Sequence, residues 1–435
     1  MSLKIRYFFS RLQSSFWFVP GLILLSSIGL AVLFLYLDYH FPFRPGGILQ
    51  LIFSEDPASG RTVLSIIAGA MAGIAGTVFS ITLVVLQLAS SQLGPRLLQN
   101  FMYKRINQVV LGQYIGLFLY SILVLNALEE NGRGGFIPNF SILFAIVFAV
   151  FNVFLLVIYI HNISTSIQPS KIIYELRLEI EESIAKLYPD TNEDNPGADS
   201  PADSVDLPHV KTIFAHRSGY IQYYDLDALI RFAGKEEAVI KINEKPGAYI
   251  VKQQPVFEIF AGKNIEIDAE AERRLQGNYQ LFRKKSFFQD TEFAIQQIVE
   301  IASKALSPGI NDPNTAINCI DNLTSALCLL VNAYIPDAPV KDDNGRVLLI
   351  ANNNSFEGYL KASFDQIRQF GASSPSVIIR MMESIITIFE LDKTKKHRET
   401  LKNYAELVWE TGEKVFTLSS DVEDLHKRYT IMNEK

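Results

Sequence analysis

The sequence predicts an α-helical membrane protein: four transmembrane helices in the N-terminal third, followed by a cytoplasmic α+β region with a small β unit and a helical C-terminal part. Three observations lead there. Hydrophobic residues make up 49% of the 435-residue chain, high for a protein that must cover its whole surface for water. The excess lies between residues 16 and 161, in apolar runs long enough to cross a hydrocarbon layer of ~30 Å at ~1.5 Å per residue. From about residue 162 onward the composition is that of soluble protein, with length for one or two independent cores. These shifts divide the chain into a four-helix transmembrane domain (1–168), a connecting helix with an acidic flexible linker (169–206), a small β-rich cytoplasmic unit (207–262) and a helical cytoplasmic domain (263–435).

The first run, Phe16–Leu37, follows Lys4, Arg6 and Arg11 as the apolar part of a signal peptide would. It is long enough to span, however, and no small-x-small cleavage site follows, so it reads as a retained helix. The second covers about Thr62–Leu88, the third Val109–Leu128 and the fourth Phe136–Tyr159, with Pro138 in its first turn, where a missing N–H costs little. Lys and Arg are retained on the cytoplasmic side. Arg96, Lys104 and Arg105 lie between spans two and three, and Lys171 and Arg177 follow span four, whereas the other two connections carry only Arg44, Arg61 and Arg133. An inner (plasma) membrane location with both chain ends in the cytoplasm is therefore expected. Trp17, Phe18, Tyr36, Tyr39 and Tyr159 sit near span ends, as interfacial aromatics do.

The second span differs from the others. Gly69, Ala72, Gly73 and Gly76 make overlapping small-x-x-x-small pairs, which let helices approach closely where lipid supplies no driving force. At ~100° per residue, Gly69, Gly73, Thr77, Ser80, Val84, Gln87 and Ser91 share one small, polar face. That face has two readings: intramembrane packing, or the lining of a water-filled conduit built from several copies. Ser and Thr can satisfy themselves on the i−4 carbonyl. Gly94 and Pro95 then break the helix, and Leu97, Leu98, Phe101 and Met102 repeat at helical spacing beside Arg96, Lys104 and Arg105, as in an interfacial helix or a simple turn between spans. Within the spans so bounded there is no Asp, Glu, Lys or Arg, which argues against coupled transport and proton pumping. Asn126 and Asn152 are the strongest polar groups left, each expected to bond a neighbouring helix. Spans one, three and four read as ordinary lipid-facing or packing helices.

After the membrane, Ser170–Tyr188 mixes Ile172, Ile173, Leu176, Leu178, Ile180, Ile184 and Leu187 with Glu and Lys, a helix leaving the bilayer. Residues 189–206 are acidic and rich in Pro, Gly and Ser, without apolar periodicity, and read as a linker. In His209–Gly262 the runs KTIFAH, GYIQYY, AVIKIN, YIVKQ and VFEIF are strand-like, and Leu226–Ala233 suits one or two helical turns. The cadence GAYIVKQQPVFEIF resembles the hairpin of biotinyl/lipoyl-like barrel-sandwich domains, but no Lys in a carrier motif stands at its tip, and no cofactor is expected. From Ala269 on, apolar periodicity marks helices over Phe293–Leu306, Thr315–Tyr334, Phe356–Phe370, Pro375–Leu391 and His397–Leu418.

Within that region, ALSPGINDPNTAINCIDNL holds Ser307, Asn311, Asp312, Thr315 and Asp321. Pro308, Gly309 and Pro313 force a break, Asn311 and Asp312 can bond their own backbone, and Thr315 or Asn314 can cap the next helix. Asn311, Asp312 and Asp321 also carry oxygens of the kind Ca²⁺ takes, although the spacing matches no EF-hand, so a structural turn and a ligand or ion site both stay open. Two basic clusters, Arg273, Arg274, Arg283, Lys284 and Lys285, then Lys393, Lys395, Lys396, His397 and Arg398, suit solvated helix ends, an anionic lipid surface or a vestibule.

The exclusions are broad. A formal charge of −6 is wrong for a general nucleic-acid binder. Cys319 and Cys328 sit in an apolar helical context, as reduced, buried thiols. His209 and His216 lack a third ligand, so no metal site is indicated. No GxxxxGK[ST], HExxH, GxSxG or CxxC occurs, and catalysis is unsupported.

The blocks TVFSITLVVLQLASSQLGPRLLQNF, NQVVLGQYIGLFLYSILVL, HNISTSIQPS, SGYIQ and ALSPGINDPNTAINCID resemble the prokaryotic membrane family called domain of unknown function 2254, from about residue 15 to past residue 400. The resemblance implies the same architecture and carries no activity or catalytic residues. The expectation is a homo-oligomeric channel or pore lined by the second span, with the soluble half as vestibule or gate and the lipid bilayer, an ion or a small ligand as partners. The alternative is a membrane-anchored ligand-binding or signalling scaffold, with an enzyme acting on lipid as a third reading.

Overall fold

A computed structural model describes residues 17–41, 57–93, 105–130, 137–166, 168–188, 207–263, 265–285, 290–335, 339–342, 344–352 and 354–434. The expected interfacial helix around Leu97–Met102 and the linker at 189–206 lie outside the described residues. The chain divides into two compact units, Met1–Lys171 and Ile172–Lys435.

The first unit contains α1 (Phe18–His40), α2 (Pro57–Leu93), α3 (Arg105–Glu130) and α4 (Asn139–Ser166). All four are long and apolar enough to cross a membrane. Helix α2 runs for 37 residues, ten more than its apolar run, and at ~1.5 Å per residue reaches ~55 Å, beyond the ~30 Å hydrocarbon layer. The four are not equivalent, and the odd one inside the subunit is α3. More than half of it is buried, against less than a third of each of the others. Val110, Tyr114, Leu117, Tyr120 and Val124 are its buried ridge. On α1's side, a Cβ on Gly112 would stand 3.0 Å from the Pro20 Cα, and one on Gly116 would stand 2.5 Å from the Ser27 Oγ. Gly112 and Gly116 thus form the small-x-x-x-small pair that packs in this subunit.

Hydroxyl groups tie α3 to α4: Tyr114 donates to the Asn152 carbonyl at 2.6 Å and Tyr120 to the Ser141 carbonyl at 3.0 Å. Tyr159 of α4 donates to the Val78 carbonyl of α2 at 3.1 Å and shares a hydrogen bond of 2.6 Å with Thr82. The Asn152 amide reaches the Met71 sulfur at 3.7 Å, as expected of a group that meets a neighbouring helix. Asn126 does not follow that expectation: it is exposed, with no hydrogen-bonding helix partner among the described residues.

A second departure concerns the end of the first span, drawn at Leu37 from hydropathy. The helix continues to His40 and carries Asp38, 2% exposed, in its last turn. Its carboxylate accepts from the backbone N–H groups of Phe140 (2.8 Å) and Ser141 (3.0 Å) and from the Ser141 hydroxyl (2.7 Å). A carboxylate from one helix therefore caps the N-terminus of another, where free N–H groups and the helix dipole favour negative charge.

Helix α5 (Pro169–Leu187), which lies in the second unit from Ile172 on, buries Ile173, Leu176, Ile180 and Ile184 along one face. Then follow β1 (His209–Phe214), β2 (Gly219–Tyr224), α6 (Leu226–Glu236), β3 (Ala238–Ile242), β4 (Tyr249–Ile250), β5 (Pro255–Ala261), α7 (Ala269–Gln276) and β6 (Tyr279–Phe282). Next come α8 (Thr291–Ala305), α9 (Pro313–Leu330), β7 (Val340–Lys341) and β8 (Val347–Ile350). The chain finishes with α10 (Phe356–Gly371), α11 (Pro375–Leu391), α12 (Arg398–Val415) and α13 (Ser419–Glu434).

The strands make a five-stranded sheet ordered β1-β5-β3-β8-β7 and a three-stranded sheet ordered β4-β2-β6. Three strands, β6 to β8, come from the stretch whose periodicity reads as mostly helical, and β8 pairs with β3 in parallel, Ile240 opposite Leu349. The resemblance of residues 247–260 to a barrel-sandwich hairpin does not hold, because β4 pairs with β2 and β5 pairs with β1 and β3, in different sheets. Helix α6 is longer than the expected one or two turns, 11 residues capped by Asp225. In the helical part, Ile298, Ile320, Leu327, Met381 and Ile385 are fully buried, where α9 packs against α8 and α11.

Replacing Asp38 by Ala removes three acceptor contacts from a buried helix start and is expected to cost about 2 kcal/mol in equilibrium unfolding of the full chain in mixed micelles, with Asp38→Asn losing less. Equal stability of Asp38→Ala and the parent chain would show that the cap contributes nothing.

Candidate functional site

The seven residues of the small, polar face of α2, namely Gly69, Gly73, Thr77, Ser80, Val84, Gln87 and Ser91, are all exposed. The ridge that α2 buries is Leu64, Ala68, Met71, Val78, Val85 and Ala89. At ~100° per residue the two stripes are ~160° apart around the helix axis. A Cβ on Gly69, Gly73 or Gly76 would meet no atom of the described residues within 4 Å, so none of these residues packs on the glycines. Thr77 satisfies its hydroxyl on the Gly73 carbonyl at 3.1 Å. Neither Ser80 nor Gln87 has a hydrogen-bond partner among the described residues. Bulky Ile81, Leu83 and Leu88 are exposed on the flanks of the stripe.

The ALSPGINDP segment is a turn between α8 and α9. Ser307 donates to the Lys304 carbonyl at 2.7 Å, Asn311 adopts a positive φ of 50°, and the Asp312 N–H donates to the Ala305 carbonyl at 2.7 Å. The expected cap, Thr315 or Asn314, is replaced by Asp312, whose carboxylate accepts from the Thr315 N–H at 3.1 Å and its hydroxyl at 2.6 Å. Those bonds hold the Asp312 carboxyl below its ordinary range. Asp321, two turns into α9, pairs instead with Arg380 of α11 at 2.6 Å. Of the three candidate oxygen ligands, the carboxylates of Asp312 and Asp321 are thus committed to separate tasks. No group of three or more His, Cys, Asp or Glu suited to a metal ion occurs among the described residues. Burial pushes the Cys319 thiol well up and that of Cys328 to about 11, which leaves both poor nucleophiles. The basic run at 393–398 is the turn between α11 and α12, folded around the buried Asp392, which accepts from the N–H groups of Lys395 and His397.

A polar junction that the sequence did not announce lies at the start of α8. Asp290, 5% exposed, caps this helix by accepting from the Phe293 N–H through Oδ1 at 3.0 Å. Its Oδ2 is buried without a hydrogen-bond partner among the described residues. Burial pushes the Asp290 carboxyl up to about 6; Lys285, Lys245 and the Phe293 N–H pull it down, Glu292 pushes it up, and burial prevails. Oδ2 lies against Gly247, whose φ is +84° and where any Cβ would collide with the carboxylate. Lys245, from the same turn, donates to Glu292 Oε2 and to Asn354 Oδ1, both at 2.5 Å. Burial raises the Glu292 carboxyl, but Lys245, Asn354 and Lys285 outweigh it and hold that carboxyl low. Next in the chain, Thr291 shares a hydrogen bond of 2.8 Å with Ser183 of α5, and Tyr359 of α10 bonds Tyr188 just past α5 at 3.0 Å.

The chain belongs to the DUF2254 family of predicted membrane proteins, which it matches over residues 13–387. An uncharacterized protein of Mycobacterium tuberculosis (strain CDC 1551 / Oshkosh) and another of Mycobacterium bovis are each 28% identical to it over 388 residues, 87% of this chain and 73% of theirs. No solved structure matches the chain.

Two substitutions test this geometry. Gly247→Ala strains a positive-φ turn and drives a methyl group into Asp290, and is expected to destabilise the full chain by at least ~2 kcal/mol in denaturant titration. Asp312→Ala removes a helix cap and is expected to cost ~1 kcal/mol at pH 7. Because the folded Asp312 carboxyl is depressed, its contribution is present above the ordinary carboxylate range, and the difference between parent and variant should close as pH falls through the folded value. A difference that stays constant down to pH 3 would contradict the cap.

Proposed function

We propose that the protein is a homo-oligomeric channel or pore of the inner membrane, in which α2 of each copy lines the conduit and the second unit forms a vestibule or gate on the cytoplasmic side. One observation carries this reading: among the described residues, the small, polar stripe of α2 is exposed and turned away from the other three spans. Lipid offers a Gln87 side chain no hydrogen bond, so a partner or water is the favourable neighbour. Several copies arranged around an axis would supply both, with the glycines allowing close approach and Ile81, Leu83 and Leu88 packing between copies. The distribution of Arg and Lys, with Arg96, Lys104 and Arg105 on one side of α2 against Arg44, Arg61 and Arg133 on the other, supports placing both chain ends in the cytoplasm. The stripe carries no charge, so selection by ion sign would come from outside it.

The test pairs two glycines. Reconstituted into planar bilayers, the full chain is expected to conduct under voltage or tension. Gly73→Leu should abolish conduction while leaving folding of each copy intact, since no described residue comes within 4 Å of a Cβ there. Gly116→Leu should instead disrupt the packing of α1 on α3 and lower the yield of folded protein. Copies bearing Ser80→Cys should cross-link to one another on mild oxidation. A protein that stays electrically silent, with Ser80→Cys remaining monomeric, would end the channel reading.

A further inference from the structure

We propose that the junction centred on Asp290 is a proton-operated clasp: with this carboxyl protonated the turn at 245–248, the start of α8 and the end of α5 hold together, and with it ionised they loosen. The geometry gives the reason. One oxygen of the carboxyl is spent on capping α8, while the other is sealed against Gly247 with no donor among the described residues. A buried carboxylate oxygen in that position is tolerated when neutral and costly when charged. To hydrate it, the Gly247 turn must lift.

The charged and titratable groups facing Asp290 do not remove that cost. Lys245, from the turn, is engaged by Glu292 and Asn354. Lys285, from the segment after β6, bonds Gln296 at 3.3 Å. Glu292, from α8 itself, adds like charge, and the groups presented by α10 and by the residue after α5 are the phenols of Tyr359 and Tyr188. No cation is thus hydrogen-bonded to the sealed oxygen among the described residues.

The consequence reaches α5 because Thr291, the residue after Asp290, holds Ser183, and Tyr359 holds Tyr188. Tyr359 is also hydrogen-bonded to Thr291 and Asn354, which joins the two links into one network. The closed arrangement takes up its proton near pH 6, whereas a hydrated carboxyl does so near its ordinary value of 3.8. Closing is therefore favoured as pH falls through 6, and opening grows about tenfold between pH 5 and pH 7.5 by linkage. That conduction would follow this opening rests on the channel reading; the clasp itself does not.

Amide hydrogen exchange of the full chain in lipid nanodiscs tests it, with rates corrected for the intrinsic pH dependence. Segments 244–250 and 291–296 should open about tenfold more at pH 7.5 than at pH 5 in the parent chain. Asp290→Asn retains the cap but cannot ionise, and should be protected equally at both. Thr291→Val should keep the pH response in 244–250 and reduce it in 176–187. Matching pH profiles for the parent chain and Asp290→Asn would overturn the clasp, whether or not the protein conducts. A pH-dependent clasp in an electrically silent protein would instead uphold it and sink the channel.

Discussion

Inside a hydrocarbon layer no water is available to complete a hydrogen bond, and lipid tails are as apolar as leucine. The first fact forces the chain into helices; the second means that apolar burial cannot choose which helix faces meet. The choice falls to close approach and to interhelical hydrogen bonds. Both converge on α3 in this protein. Gly112 and Gly116 admit Pro20, Ile23 and Ser27 of α1 to a distance that any larger side chain would forbid. Tyr114 and Tyr120 then fix α4 by its backbone carbonyls, and Tyr159 fixes α4 to α2. Asp38 closes the arrangement by capping α4 from α1.

The same rule explains why two glycine series of similar appearance behave differently. Small-x-x-x-small spacing states that a helix can be approached; a partner with matching ridges decides whether it is. Gly116 has Ser27 and Ile23 opposite, whereas no described residue lies opposite Gly69, Gly73 or Gly76. The number of spans, their approximate limits and the composition of the α2 stripe were legible in the sequence, since each follows from composition and a period of ~3.6 residues. The packing pair in α3 was equally visible in GQYIG, yet its role was not, because that depends on side chains 89 or more positions away. Asp38 was misread for a related reason. A hydropathy boundary stops at the first charge, and only the fold reveals that the charge is used.

In the second unit the helices bury one apolar face in a shared core, so amphipathic periodicity located α8 to α12 closely. The short strands were harder. YQLF and VLLI are four residues each, too short for a period to declare itself, and their identity comes from pairing with β2 and β3 far away in the chain. Asp290 shows where such reading ends. Its place before Thr291-Glu292 at a helix start is visible as a capping signal. Its burial under Gly247, 43 positions earlier, is a product of the sheet that carries the turn.

Tyr159, near the end of α4, grips α2 at Val78 and Thr82, on the side of α2 opposite Ser80; within the second unit, Ser183 and Tyr188 tie the end of α5 to Thr291 and Tyr359. Under the channel proposal, a stripe without charge gives a stimulus nothing to act on directly, so gating would come from displacement of α2. The energetics set a condition. A tenfold shift in the clasp is about 1.4 kcal/mol, the scale of one hydrogen bond, whereas driving a two-state element from mostly shut to mostly open takes about 5.5 kcal/mol. A single subunit cannot meet that difference, but about four moving together can, because the contributions of copies that switch as one are additive. Under the channel proposal, proton control of the conduit would therefore need several copies switching together.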